Sequence, residues 1–249
     1  MYEKQLFGRK VLYFQYAPPI TKLDDVSDDE RPNPPFRNAP LYQRSVYYYW
    51  WAFLRENADY INCCDQAGAG PMAGLYADFG DVRGDDFMNW WRKGGRLLFC
   101  EPIDERIEVF LSPPSHHNNE NRVLLSLPVT GDVERTFAEL RQLLKPIFQS
   151  ARSSERPISR AKYPVHSKAV LTSLHQHLMI YQLKRANPQA TNYEIAGMAG
   201  LAGVNPAGGD SYDQRNSASV IVSRYAKQAE ALIHNVGQGR FPDFTRPNK

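Results

Sequence analysis

Residues 191–201, TNYEIAGMAGL, lie between two longer segments with helical apolar periodicity, and this stretch decides how the last third of the chain folds. Thr191 and Glu194 have the spacing of a capping box. In a capping box the hydroxyl accepts from the third backbone N–H and the carboxylate accepts from the N–H of the cap residue. The small residues that follow allow a crossing helix to approach closely. The stretch therefore predicts a short helix inside a helical module.

Two longer helices are predicted on either side of this short one. The first spans Ser167 to Ala186 and ends at Asn187-Pro188, since the residue before a proline disfavours helical geometry. After a polar loop from Gly203 to Asn216, the second is expected to run from about Ser217 to Val236, with Gly237 as its stop. Their inward apolar positions are Val170, Leu171, Leu174, Leu178, Tyr181 and Leu183 in the first, and Val220, Ile221, Tyr225, Ala229, Leu232, Ile233 and Val236 in the second.

This order of helices is the outline of a helix-turn-helix module, in which the start of the third helix reaches base edges in the major groove. Arginine can read guanine, and asparagine or glutamine can read adenine. The intervening loop of about 14 residues is longer than the usual turn of three or four, so a plain helical subdomain and a protein-docking surface remain open. The predicted base-reading residues are Gln214, Arg215, Asn216, Ser217 and Ser219, and the predicted phosphate contacts are Arg224, Lys227 and Arg240.

The net charge of the chain also differs between its first 150 residues and the rest. Residues 151–249 carry 13 Lys and Arg against 6 Asp and Glu, whereas residues 1–150 carry 17 against 21. A basic helical segment attached to a weakly acidic body is typical of a nucleic-acid-binding end.

The first 150 residues predict a mixture of strands and helices. The expected fold class is α+β, with a small mixed or antiparallel sheet, aromatic-rich helices on it and a carboxy-terminal three-helix module. Residues 1–150 would be the body, 151–163 a linker and 164–249 the basic module. Residues 18–40 are rich in proline and aspartate and predict a flexible loop. The expected strands are Lys10–Tyr16, Arg96–Cys100, Ile107–Leu111 and Val123–Val129, and the expected helices are Leu41–Ile61, Asp85–Lys93 and Asp132–Gln149.

The block YYYWW at residues 47–51 is apolar around the whole circumference of a helix. Such a helix is normally buried. Exposed rings interleaved with positive charge could instead stack on single-stranded bases. Since only Arg44 and Arg55 flank the block, the sequence favours a core.

Catalytic and metal-binding patterns are weak in this chain. The acidic run Asp78, Asp81, Asp85 and Asp86 could hold a hard divalent cation, but Asp85 and Asp86 suit a helix start. His175 and His177 are two residues apart and point to different sides of a helix. We therefore predict no enzyme activity, no catalytic residues, no metal and no cofactor.

The sequence shows neither a signal peptide nor a long apolar run, and its three cysteines form no CxxC pair. These features favour a cytoplasmic protein with free thiols and no membrane partner. The leading hypothesis is a regulator or accessory factor that binds duplex DNA, with a protein partner or self-association through the body. The alternatives are an assembly subunit whose basic face docks an acidic partner, and a metal-dependent nuclease that uses Asp78–Asp86.

Overall fold

The chain begins with a β-hairpin in the computed structural model. Strand β1 (Glu3–Phe7) pairs antiparallel with β2 (Lys10–Phe14), which confirms the predicted strand at Lys10. The structure describes residues 3–7, 10–20, 39–84, 86–102, 125, 132–153, 159–201, 204, 209 and 211–246.

Helices make up most of the regular structure in these ranges. Two short 3-10 helices, at Leu41–Arg44 and Gly95–Leu98, accompany the α-helices. The α-helices are α1 (Val46–Leu54), α2 (Ala58–Asp65), α3 (Ala73–Phe79), α4 (Phe87–Lys93), α5 (Val133–Ser153), α6 (Leu171–Ala186), α7 (Asn192–Met198) and α8 (Tyr212–Val236).

The prediction of an α+β fold with a small mixed sheet is wrong. Across the described residues, paired strands are limited to the β1–β2 hairpin, and the aromatic-rich helices pack mainly on other helices. The predicted strand Ile107–Leu111 lies outside the described residues, as does Val123–Val129 except for Leu125. The fold of the described part is therefore mainly helical.

The predicted strand Arg96–Cys100 is also wrong, because its first residues form a 3-10 helix. Gly95 lies against the ring of Trp90, where an added Cβ would stand 2.6 Å from a ring carbon. Arg96 turns inward and donates from Nη1 to the carbonyl oxygen of Arg92. The tight turn after α4 thus brings Leu98 and Phe99 into the core without an extended segment.

The predicted helix Leu41–Ile61 is broken at two polar residues. Ser45 caps α1, and its hydroxyl donates to the carbonyl oxygen of Ala17 at 2.8 Å. Asn57 caps α2, where its Oδ1 accepts from the N–H of Tyr60 at 2.9 Å. Capping side chains favour helix starts, so each polar residue begins a new helix within an otherwise continuous apolar pattern.

The main core surrounds α1, which confirms the prediction that the block at residues 47–51 is buried. Trp50 and Tyr49 are fully buried, and Tyr48 is half-buried. Tyr47 lies against Trp91 of α4 and Phe99, with ring centroids 5.6 Å and 4.8 Å away. This burial leaves the block no exposed stack of rings for single-stranded bases.

Helix α8 belongs to two clusters of buried side chains. Its second half, including Leu232 and Val236, packs in the main core with α1 and α6. Its first half packs in a smaller cluster with α7 and the second half of α6. The smaller cluster is formed by Ile180, Ile195, Ala196, Ala218, Val222 and Ala226.

The chain divides into two compact units. One unit contains residues 2–102 and 159–249, and the other contains residues 103–158. In the second unit the described helix α5 begins after Asp132, whose Oδ1 accepts from the N–H of Glu134 at 2.9 Å. In the first unit, buried residues of α1, α6 and α8 belong to one hydrophobic core.

None of the described helices is long and apolar enough to span a bilayer. The thiols of Cys63, Cys64 and Cys100 are all unpaired, and the first two are buried.

Candidate nucleic-acid interface

The capping box that the sequence predicts at α7 is present. The N–H of Glu194 donates to Oγ1 of Thr191 at 3.3 Å, and the N–H of Thr191 donates to Oε2 of Glu194 at 2.7 Å. Backbone and side-chain hydrogen bonds from Thr191 hold the pKa of Glu194 below its ordinary value. Helix α7 therefore begins where predicted, and its Ile195 and Ala196 face the smaller core.

Helix α8 begins at Tyr212, five residues before the predicted start, because a second capping box opens it. The N–H of Ser211 donates to Oε1 of Gln214 at 2.7 Å, and the N–H of Gln214 donates to Oγ of Ser211 at 3.3 Å. The spacing S-x-x-Q was visible in the sequence and was missed inside the polar loop. The side-chain oxygen of Gln214 therefore takes part in capping the helix. Gln214 would need this same oxygen to recognise adenine.

The residues of the first two turns of α8 are exposed. All seven residues from Ser211 to Ser217 are exposed, and Tyr212 keeps 82% of its surface accessible. The first buried residue of α8 is Ala218. The start of the helix thus projects beyond the smaller core, which is the placement that contact with a groove requires.

The predicted contact residues divide between two sides of α8. At about 100° per residue, Arg215 lies on the side of the buried Ala218 and Val222, whereas Arg224 lies on the opposite side. The guanidinium of Arg215 is 5.5 Å from the ring centre of Tyr193 in α7. Arg215 is therefore placed at the α7–α8 junction, away from the outer side of the helix.

The outer side of α8 carries a row of exposed residues that we call the α8 stripe. Arg224 and Lys227 supply its positive charge, and neither forms an ion pair among the described residues. From Asn216 to Lys227 the stripe extends about 17 Å along the helix axis. Its exposed members are Asp213, Asn216, Ser217, Val220, Arg224 and Lys227.

Two of the predicted contact residues, Ser219 and Arg240, do not belong to the α8 stripe. The hydroxyl of Ser219 donates to the backbone oxygen of Arg215 at 2.8 Å. Arg240 follows the other end of α8, where its Nε lies 3.6 Å from the carboxylate of Asp243. Of the eight predicted contact residues, four therefore lie together on the α8 stripe, namely Asn216, Ser217, Arg224 and Lys227.

Residues 199–211 connect α7 and α8, and several of them lie outside the described residues. The connection is thus about as long as the predicted loop. It differs from the short turn of a standard helix-turn-helix.

Three of the four acidic residues behind the nuclease hypothesis have structural partners, and the fourth, Asp85, lies outside the described residues. Asp78 accepts from Lys162 and from the hydroxyl of Tyr163, the latter at 2.6 Å. Burial raises the pKa of Asp78, but these hydrogen bonds outweigh it and hold the pKa below its ordinary value. Asp81 pairs with Arg83, and Asp86 caps α4 through the N–H of Asn89. Within the described ranges, no group of three or more potential ligands is placed to hold a metal ion.

Sequence reasoning missed a cleft beside the α8 stripe, of about 350 Å³. Its polar residues are spread over α6 and α8, so no local spacing could indicate them. The lining residues are Ser173, His177, Arg224, Tyr225, Gln228 and Phe244.

Comparison of the chain with protein-family models, curated proteins and solved structures gives no match.

Proposed function

We propose that the protein binds duplex DNA through the first half of α8. The observation that carries this proposal is the exposed start of α8, seven residues that project from a three-helix arrangement with its own small core. A helix end with exposed side chains can enter a major groove about 12 Å wide. The neighbouring helices α6 and α7 would then lie over the backbone.

Within this proposal the residues of the α8 stripe have different tasks. Arg224 and Lys227 contact phosphates, which supplies affinity that depends on salt. Asn216 and Val220 face base edges, because an amide can read adenine and an apolar group can contact a thymine methyl. Arg215 contributes only if it leaves its position over Tyr193.

The proposal is tested by the salt dependence of duplex binding. Full-length protein and its Lys227→Gln variant are titrated with a random-sequence duplex over a salt series, by fluorescence anisotropy. Loss of one phosphate contact should lower the slope of log K against log salt by about 1 and weaken binding to all sequences equally.

Lys93→Gln is the matched control, since Lys93 is an exposed lysine on α4 and lies outside the C-terminal helices. This variant should keep the wild-type slope. Equal slopes for wild type and Lys227→Gln would contradict the assignment of Lys227, and absence of binding at low salt would contradict the proposal itself.

A protein-docking role for the same surface is the second candidate. Tyr212 in the first turn of α8 and Met198 at the end of α7 expose 82% and 54% of their surfaces, and aromatic residues and methionine are enriched in protein interfaces. If duplex DNA does not bind, an acidic protein partner becomes the favoured occupant of the α8 stripe.

A further inference from the structure

The cleft beside the α8 stripe is formed by α6, α8 and the residues that follow α8. Arg224, Tyr225 and Gln228 of α8 form one wall, and Ser173 and His177 of α6 form the other. Phe244 closes one side and stays 38% exposed. A volume of about 350 Å³ lies at the small end of the range for ligand sites, so it suits a ligand with one ring.

His177 presents a neutral imidazole of fixed orientation to this cleft. Its Nε2 lies 2.7 Å from Oε1 of Gln228, so Nε2 carries the proton and donates. Its Nδ1 lies 3.3 Å from Oγ of Ser173 and accepts from that hydroxyl. The imidazole is 2% exposed, and its burial lowers the pKa of His177.

Arg224 supplies the charge of the cleft. Its guanidinium lies 5.4 Å from the ring centre of Tyr225 and is exposed. In the part of the chain that the structure describes, neither an aspartate nor a glutamate lines the cleft. The cleft therefore attracts an anion.

Aromatic side chains form much of the remaining wall. The ring of His177 is 4.7 Å from Tyr225 and 5.6 Å from Phe244, centre to centre. Rings at these separations pack on one another in offset or edge contacts and form one aromatic wall beside the cation. The walls therefore favour a flat ligand body next to the cation.

We propose that this cleft binds a small planar aromatic carboxylate. The planar guanidinium of Arg224 matches a carboxylate in a two-bond arrangement, and the rings of Tyr225 and Phe244 contact the ligand ring. A phosphate dianion fits less well, because a single cationic side chain is present among the described residues that line the cleft. The proposal does not rest on DNA binding, although Arg224 belongs to both the cleft and the α8 stripe.

Ser173 is not a nucleophile in this arrangement. An activated serine needs a base that can hold the proton, and the imidazolium is then stabilised by a carboxylate. Here the orienting group is the neutral amide of Gln228, and burial disfavours protonation of His177. The Ser173–His177–Gln228 chain therefore fixes the wall of a binding site.

The experiment titrates full-length protein, labelled with ¹⁵N-histidine, with benzoate and separately with neutral benzamide, and follows the imidazole resonances of His177 by NMR. We expect saturable benzoate binding with a Kd on the order of 1 mM, given the few atoms of the ligand. Arg224→Gln should weaken benzoate binding by about tenfold or more and leave benzamide unaffected. Lys227→Gln, which removes a nearby charge outside the cleft, should leave both unchanged.

The benzoate titration of the wild-type protein is sufficient to overturn the proposal. Absence of saturable shifts at His177 up to about 20 mM benzoate would do so. Equal weakening by Arg224→Gln and Lys227→Gln would also contradict it, since it would indicate general attraction of anions. Phe244→Ala should weaken benzoate and benzamide alike, and an unchanged affinity for both would exclude the ring contact.

Discussion

Asn57 connects two distant parts of the chain through one side chain. Its Oδ1 caps α2, while its Nδ2 donates to the backbone oxygen of Ile233 in α8 at 2.7 Å. Gly237 lies beside it, and an added Cβ there would be 2.6 Å from Nδ2 of Asn57. Gly237 was predicted to stop α8, but its φ is −65°, a value that any residue can adopt. The close approach of Asn57 is therefore the reason for a glycine at this position.

Asn57→Ala should reduce the free energy of unfolding by about 2–3 kcal/mol, because it removes a cap and leaves a buried carbonyl without its donor. Urea unfolding of the full-length protein measures this effect. Asn57→Asp should also destabilise the protein, because the carboxylate keeps the cap but sets an acceptor against the carbonyl oxygen of Ile233. Asn62→Ala is the control on the exposed side of α2 and should change stability by less than about 0.5 kcal/mol. Equal effects of Asn57→Ala and Asn62→Ala would disprove the connection.

Single helices were the part of the structure that local sequence indicated best. The Thr191 capping box and the short helix after it were predicted correctly, because both depend on residues three or four apart. The start of α8 was missed by five residues, since its cap, Ser211, lies in a loop without apolar periodicity. The breaks at Ser45 and Asn57 were missed because the apolar pattern continues across them.

Thr191→Ala should cost about 1 kcal/mol, since one hydroxyl acceptor at the start of α7 is lost. Hydrogen exchange at residues 192–200 should become faster than in the wild type. Thr172→Ala changes an exposed threonine in the first turn of α6, away from any capping position, and is the control. Unchanged exchange at residues 192–200 would show that the capping box does not hold α7.

At the scale of the whole molecule, the charge change near residue 150 did not locate a boundary between two cores. Charged residues are mainly on the surface, so their distribution follows binding and solvation more than packing. The contacts of α1 with α6 and α8 join residues more than 100 positions apart, and no local pattern reports them. The contact residues were predicted from chain order, which assigned Arg215 to base edges and Arg224 to phosphates of the same duplex although the two residues lie on opposite sides of α8.

The proposed interface is tested most directly by NMR mapping of the full-length protein with a duplex. Backbone and side-chain shifts are recorded while a random-sequence duplex is added at low salt. We predict that the largest shifts fall on the exposed start of α8 and the α8 stripe, from Tyr212 to Lys227, and that Arg240 and α4 change little. Shifts concentrated on α4 or the hairpin, or no shifts anywhere, would contradict DNA binding through α8.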